Sequence, residues 1–320
     1  MYEARGLDSA ELLLGLGLVV VFAINVLTVV YVARNLKGQL QEKKSLKPES
    51  EETGPEPEPE DESTTESPRP IGNRRPTTKA EILGWRRKII DEIEQERGTK
   101  VITMIHKKEL WTAPDQEPEI GIEDTETILQ ELRRTPPNKP VDLILHTPGG
   151  YALAAQVMAM AIKFHPAKVT VMVPFYAMSG GSLMSLGADE IRMERYSVLG
   201  PVDPQIPTPD GMWPASSLAT LVKIKPMQNV SDRMVVMSDV ANLETENAKA
   251  FVLWLLEGKM DKEQAERVAD FLARGYMSHA TPITLDVARA LGLNVVEGVP
   301  EKVYELFKTF AFAGQPYKRY

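Results

Sequence analysis

Apolar positions along this 320-residue chain fall into three regimes, each implying a different physical state. From Leu12 to Ala33 the text LLLGLGLVVVFAINVLTVVYVA carries no charged side chain. Roughly 22 residues rising about 1.5 Å each would span about 33 Å, the hydrocarbon thickness of a bilayer. The pattern predicts a transmembrane helix over 12–33 inside an N-terminal membrane anchor of residues 1–47. Arg34, Lys37, Lys43, Lys44 and Lys47 follow it, and this basic flank predicts a single-pass protein with its C-terminal domain in the cytoplasm. Residues 48–78 reverse the pattern: PESEETGPEPEPEDESTTESPRP offers nothing apolar to bury. That stretch reads as a disordered, self-repelling, Pro/Glu-rich acidic linker.

From residue 79 onward the apolar positions become periodic. Ile82, Trp85, Ile89 and Ile93 recur at three or four residues, with Thr77 and Thr78 in front and Gly98 behind, which predicts a capped amphipathic helix with a glycine stop. KVITMIH (100–106), VDLILH (141–146) and VTVMVP (169–174) are short apolar runs with the composition of buried strands, and EIRM (190–193) is a fourth. Helices are predicted between them at 124–134, 151–164 and 179–187. Strands alternating with helices imply parallel pairing through right-handed crossovers, hence an α/β fold of stacked βαβ units. The C-terminal part reads as mostly helical, over about 230–258, 261–273, 284–291 and 299–310. The first of these carries a stripe, Val235, Val236, Val240, Leu243, Phe251 and Leu255, suited to core packing or to a subunit contact.

Composition narrows the function classes. An apolar fraction of 43% supports a packed core. The net charge of −8 arises in the linker: nine carboxylates lie between Glu49 and Glu66, leaving 36 acidic against 37 basic residues elsewhere. A nearly neutral folded part argues against nucleic acid as a partner. Absence of cysteine excludes disulfides, thiolate metal sites and a cysteine nucleophile. No dinucleotide fingerprint and no phosphate-binding P-loop is present, so neither a cofactor nor a metal is expected.

Two strand ends carry the candidate chemistry. Pro148-Gly149-Gly150 follows one strand, and paired glycines let backbone amides approach an oxyanion or phosphate closely. Glycine merely satisfying a tight turn explains the same residues. Ser179 follows the next strand and opens a helix, where serine is an ordinary N-cap. In an open α/β sheet, neighbouring parallel strands present their C-terminal ends at one ligand-binding edge. A hydroxyl beside glycine amides there has the geometry of acyl transfer, a nucleophile next to an oxyanion hole.

The stretches EIEQERGTKVITMIH, TPPNKPVDLILHTPGG, VPFYAMSGGSLMSLGADEI, VLGPVDPQI and GYMSHATPIT resemble the serine dehydrogenase proteinase family. It is a branch of the Clp/crotonase-fold serine peptidases related to the Clp proteolytic subunit and signal peptide peptidase A. The resemblance runs over residues 90 to about 310 and implies a Clp-like serine peptidase domain at 79–320, a peptide or protein substrate and a homo-oligomer. It implies Ser179 as nucleophile, Gly149 and Gly150 as the oxyanion turn, and Gly180 as support for the sharp turn into the serine-bearing helix. The general base is not where relatives place it. No histidine occurs in SVLGPVDPQ (197–205), and Leu243 stands where the family's lysine would lie in DVANLETENAKA.

Lys249 is the nearest lysine downstream, six residues or about 600° of helical rotation away. His279 is an alternative base, although Ala280 replaces the aspartate that follows it in relatives. His106 and His146 end strands and read as structural, His146 with the option of supporting the site from behind. Asp203, in a Gly-Pro-Val-Asp-Pro turn, reads as a turn former.

Two further readings compete with the peptidase. Leu243 and Ala280 motivate a catalytically degenerate scaffold that keeps the fold, oligomerises and binds partners. Acyl-thioester chemistry is also compatible with paired glycine amides, without a coenzyme-A signal to favour it.

Overall fold

The first helix of the computed structural model, α1 (Lys79–Arg97), is fixed at both ends by its own residues. Thr78 Oγ1 accepts the Glu81 amide at 3.2 Å and the Glu81 carboxylate accepts the Thr78 amide at 3.1 Å, so two orphan N–H groups are satisfied reciprocally. Gly98 closes the helix at φ 68°, donating to Glu94 O. The structure describes residues 78–109, 111–112 and 117–311. The predicted membrane span and almost all of the predicted linker lie outside them. Among the described residues no helix is long and apolar enough to cross a membrane.

In chain order, α1 is followed by β1 (Lys100–Ile105), α2 (Ile122–Arg134), β2 (Val141–His146), α3 (Ala152–Phe164), β3 (Val169–Val173) and β4 (Tyr176–Ala177). Then come α4 (Gly180–Gly187), β5 (Glu190–Met193), β6 (Val198–Leu199), the hairpin β7 (Gln205–Thr208) and β8 (Gly211–Pro214), and α5 (Ala215–Ile224). After a short 3-10 turn, α6 (Asp232–Leu256), α7 (Lys262–Ala273), β9 (Ile283–Thr284), α8 (Leu285–Ala290), β10 (Val295–Glu297) and α9 (Glu301–Ala311) complete it. The predicted α/β order holds: β1-β2-β3-β5-β10 form one sheet with every neighbouring pair parallel.

Both faces of that sheet are covered, which is why its central strands read as continuous apolar runs. Val141, Leu143 and Leu145 of β2 pack with Ile128, Met158 and Val252 on one face. Ile144, Val101 and Met172 pack on the other against Ile89 and Ile93 of α1 and Val303 and Phe307 of α9. A fully buried side chain of this size contributes roughly 1.5–3 kcal/mol. The one carboxylate in β2, Asp142, is 1% exposed. Arg97 grips both its oxygens and Thr99 donates to it at 2.7 Å, so the buried charge is paired.

Three features differ from the sequence expectation. A hairpin and a helix, β7–β8 and α5, occupy 205–224, where the sequence reading places no element. The stripe on α6 splits: Leu255 is buried, whereas Val236, Val240 and Leu243 face solvent. Ser179 stands at the N-cap position of α4 but makes no side-chain cap bond, which corrects the capping alternative. Helix–helix packing, not the cap, holds α4 in place: all of its residues are buried.

Candidate active site

Strands β2 and β3 run in register from Val141↔Val169 to Ile144↔Met172. Pairing resumes at Thr147↔Ala177, so the offset grows from 28 to 30 residues and the chain after β3 bulges. Tight bonds hold the two strand ends together: Thr147 N donates to Tyr176 O at 3.1 Å and Met178 N donates to Thr147 O at 3.0 Å. The turn residues Pro148-Gly149-Gly150 and the serine loop are therefore adjacent. A Cβ placed on Gly149 would stand 2.9 Å from Ser179 Cβ and 3.5 Å from Gly180 N. Glycine at 149, with φ 107°, is required both by conformation and by the neighbour.

Ser179 adopts φ 49° and ψ −112°, and is the one non-glycine residue with positive φ among those described. Such a conformation costs on the order of 1–3 kcal/mol and persists only where surroundings over-determine it. Here they do. Ser182 N donates to Ser179 O at 2.8 Å, Ser182 Oγ donates to Ala177 O at 2.9 Å, and Gly200 N donates to Ser182 Oγ at 2.8 Å. The result lifts a half-buried serine hydroxyl off the start of a buried helix, the geometry of a nucleophile elbow.

The amides around Ser179 are not equivalent. Gly149 N–H is spent on Thr147 Oγ1 at 3.1 Å, which corrects the expectation that both turn glycines offer oxyanion donors. Ile120 N donates to Gly149 O at 2.7 Å. The carbonyl and amide of a trans peptide point in opposite directions, so Gly150 N–H points away from Ile120. Neither Gly150 N nor Gly180 N has an acceptor among the described residues. Those two amides are unpaired beside the serine turn, and the start of α4 adds its partial positive charge.

A basic group arrives from the C-terminal half. β6 pairs with β9, Leu199 against Ile283, and Val202 N donates to Leu272 O at 2.9 Å, which brings the 200–205 turn against the 275–280 loop. His279 Nδ1 lies 2.7 Å from Asp203 Oδ1. Gln205 Nε2 donates to Asp203 Oδ2 at 2.8 Å, so both oxygens of a 4%-exposed carboxylate are engaged. The same turn touches the serine: a Cβ on Gly200 would stand 3.2 Å from Ser179 N. A cavity of about 620 Å³ opens here, lined among others by Pro148, Met178, Asp203, Gln205, Ser216 and His279.

The remaining sequence candidates lie elsewhere. Lys249 on α6 is not among the cavity residues, and its ammonium is 2.9 Å from Asp270 Oδ1 on α7. Leu243 is 64% exposed on the same helix. His146, 5% exposed, lies in a ring cluster with Phe175, Tyr176 and Phe307. It faces the α9 layer, not the cavity; burial pushes its pKa down to about 4. Asp203 was undervalued by sequence reasoning, because an aspartate before proline is a common turn former. The available signal was its place in the VLGPVDPQI stretch. No local pattern joins it to His279, 76 residues away.

Residues 75–318 match the family described as ClpP-like SDH-type serine proteinase. Two uncharacterized proteins of Methanocaldococcus jannaschii are similar, one 44% identical over 228 residues (70% of this chain, 76% of that protein) and one 43% identical over 228 residues (70% and 78%). Among solved structures, ClpP1 from Listeria monocytogenes is 13% identical with a TM-score of 0.39, covering 65% of this chain and 97% of that one. A variant of the 1510-N membrane-bound stomatin-specific protease is 16% identical with a TM-score of 0.39, covering 60% and 79%.

Proposed function

The chain belongs to the ClpP-like SDH-type serine proteinase family, and from that premise we propose that it is a membrane-anchored serine peptidase cleaving peptides or protein segments through an acyl-enzyme on Ser179. The observation that carries the reading is the Asp203–His279 pair, opening on a cavity walled by Pro148 and Met178, the immediate predecessors of Gly149 and Ser179.

The chemistry assigns itself by donor and acceptor. The Asp203 carboxylate accepts a hydrogen bond from His279 Nδ1–H, which fixes the tautomer and leaves Nε2 as the basic nitrogen. His279 accepts the Ser179 hydroxyl proton as Oγ attacks the substrate carbonyl. The Gly150 and Gly180 amides stabilise the oxyanion, and His279 returns the proton to the departing amine as the C–N bond breaks. Water, deprotonated by the same imidazole, then attacks the acyl carbon; the C–Oγ bond breaks, the imidazolium returns its proton to Ser179 Oγ, and the acid leaves. Lys249, paired with Asp270, has no part in this scheme.

The uncharged run Leu12–Ala33 and the basic residues behind it support a single-pass membrane anchor with a cytoplasmic domain, joined through the acidic segment 48–78 to the peptidase domain at 79–320. The exposed Val236, Val240 and Leu243 on α6 support a homo-oligomer. One observation favours the scaffold reading instead: Ser179 Oγ has no hydrogen bond to His279 among the described residues. An alkyl fluorophosphonate reacted with the full chain in membranes separates the two. A Ser179 adduct, absent in Ser179→Ala and much slower in His279→Ala, supports the peptidase. A folded chain with no adduct returns the fold to the scaffold.

A further inference from the structure

A second polar chain, ending in a buried threonine, lies behind the oxyanion turn. Thr147 is fully buried, which bars it from acting as a nucleophile, yet its hydroxyl is the most connected atom at the site. Thr147 Oγ1 accepts the Gly149 amide at 3.1 Å, lies 3.3 Å from Gly149 O and stands 2.7 Å from His106 Nδ1. His106 Nε2 lies 3.3 Å from Asp124 Oδ2, and that oxygen also accepts the Gly121 amide at 2.8 Å.

Burial raises the Asp124 carboxyl, but hydrogen bonds from His106 and Gly121 outweigh it and hold the group below its ordinary value. An ionised Asp124 accepts a hydrogen bond from His106 Nε2–H, leaving Nδ1 as acceptor for the Thr147 hydroxyl proton. Thr147 is then committed to face His106, and its free lone pair to receive Gly149 N–H. On the opposite side, Ile120, one residue before Gly121, clamps Gly149 O and receives Tyr151 N–H at 2.8 Å. Both peptide planes of the turn are thus fixed by one short segment, residues 120–124: from outside through Ile120, and from behind through Asp124, His106 and Thr147.

We propose that Asp124 and His106 are positioning residues, acting through Thr147 to lock the Gly149 peptide so that the Gly150 amide is aimed at the Ser179 site. The inference rests on the reading of Ser179 as nucleophile and Gly150 as an oxyanion donor. A network that orients a donor raises reactivity without touching substrate, as outer partners do for metal ligands. Removing an oxyanion donor outright costs about 10²–10³ in rate, so loosening one is expected to cost about 10–100-fold.

The test measures the rate of Ser179 modification by an alkyl fluorophosphonate in the full chain, with thermal melting beside it. Thr147→Val removes the hydroxyl and keeps the shape; labelling should slow about 10–100-fold, while Thr147→Ser, which restores the hydroxyl, should lie within about threefold of the parent. Asp124→Asn, at a partly exposed position, should slow labelling about 3–10-fold with little change in melting. If Thr147→Val does not fold, Asp124→Asn decides. Equal labelling of all folded variants overturns the positioning role and leaves the nucleophile standing. Absence of labelling in the folded parent overturns the nucleophile, and the positioning role with it.

Discussion

His279 Nδ1 and Asp203 Oδ1 stand 2.7 Å apart, at the wall of the cavity that reaches the Ser179 turn. With Gln205 holding its other oxygen, the Asp203 carboxylate has a fixed orientation and little water. Asp203→Asn keeps the shape but presents an amide that can donate to Nδ1, which favours the wrong imidazole tautomer. The expected loss in Ser179 acylation rate is about 10²–10⁴-fold. Melting should change little by comparison. Single-turnover labelling of the parent, Asp203→Asn and His279→Ala checks this, and a parent-like rate in Asp203→Asn would remove the carboxylate from the scheme.

Gly149 and Gly211 provide a matched pair, with φ 107° and 114°. Alanine at either position suffers similar backbone strain, on the order of 1–2 kcal/mol. They differ in what the new Cβ meets: open space at Gly211, and Ser179 Cβ at 2.9 Å and Met178 O at 3.1 Å at Gly149. Gly211→Ala should therefore lower melting while leaving the labelling rate of Ser179 near the parent's. Gly149→Ala should lower melting further and abolish labelling. Comparing the two variants by melting and fluorophosphonate rate separates strain from displacement of the nucleophile.

Ser179 stores strain of its own. Replacing it by alanine removes the hydroxyl but leaves a Cβ at φ 49°, so stability should barely change. Replacing it by glycine removes the Cβ as well. Relief of strain, offset in part by the larger entropy of the unfolded chain, predicts that Ser179→Gly is about 1 kcal/mol more stable than Ser179→Ala. Both should be unlabelled. Urea unfolding of the pair measures the difference; equal midpoints would mean that the conformation is not strained.

What was legible in the sequence follows the range of the forces involved. The caps of α1 at Thr78 and Gly98, the apolar runs of β1 to β3 and the helices between them are set by neighbours a few residues apart, so their spacing revealed them. The meeting of Gly149 with Ser179 was legible because parallel strands share one C-terminal edge. The Asp203–His279 pair was not: the sequence offered His279 as an alternative base but gave it no partner. The two residues meet through the β6–β9 pairing and the Val202–Leu272 bond, contacts between distant segments that leave no local period. Position-by-position expectation pointed toward α6 and Lys249, whose charge the fold spends on Asp270. The same limit hid the Asp124–His106–Thr147 chain, whose members lie on three separate segments.

His146 makes the last prediction, one of stability against pH. Its ring is packed edge-on against Phe175 and Phe307 at 5.7 and 5.2 Å and lies 4.1 Å from the Tyr176 ring, and its Nδ1 has no partner in the described structure. Burial disfavours the imidazolium, with the charge of Lys107 acting in the same direction, and lowers the pKa from 6.5 to about 4. Between those values the unfolded chain binds a proton at this residue that the folded chain refuses. Stability from this group is therefore full above about pH 6.5 and declines as pH falls toward about 4, by at most about 3 kcal/mol. Phenylalanine fits the same aromatic surroundings and does not titrate. His146→Phe should flatten the fall in urea-unfolding stability between about pH 6.5 and pH 4.5, while the parent retains it. Parallel curves for the two proteins across that window would show that His146 takes up its proton in the folded state as readily as in the unfolded one.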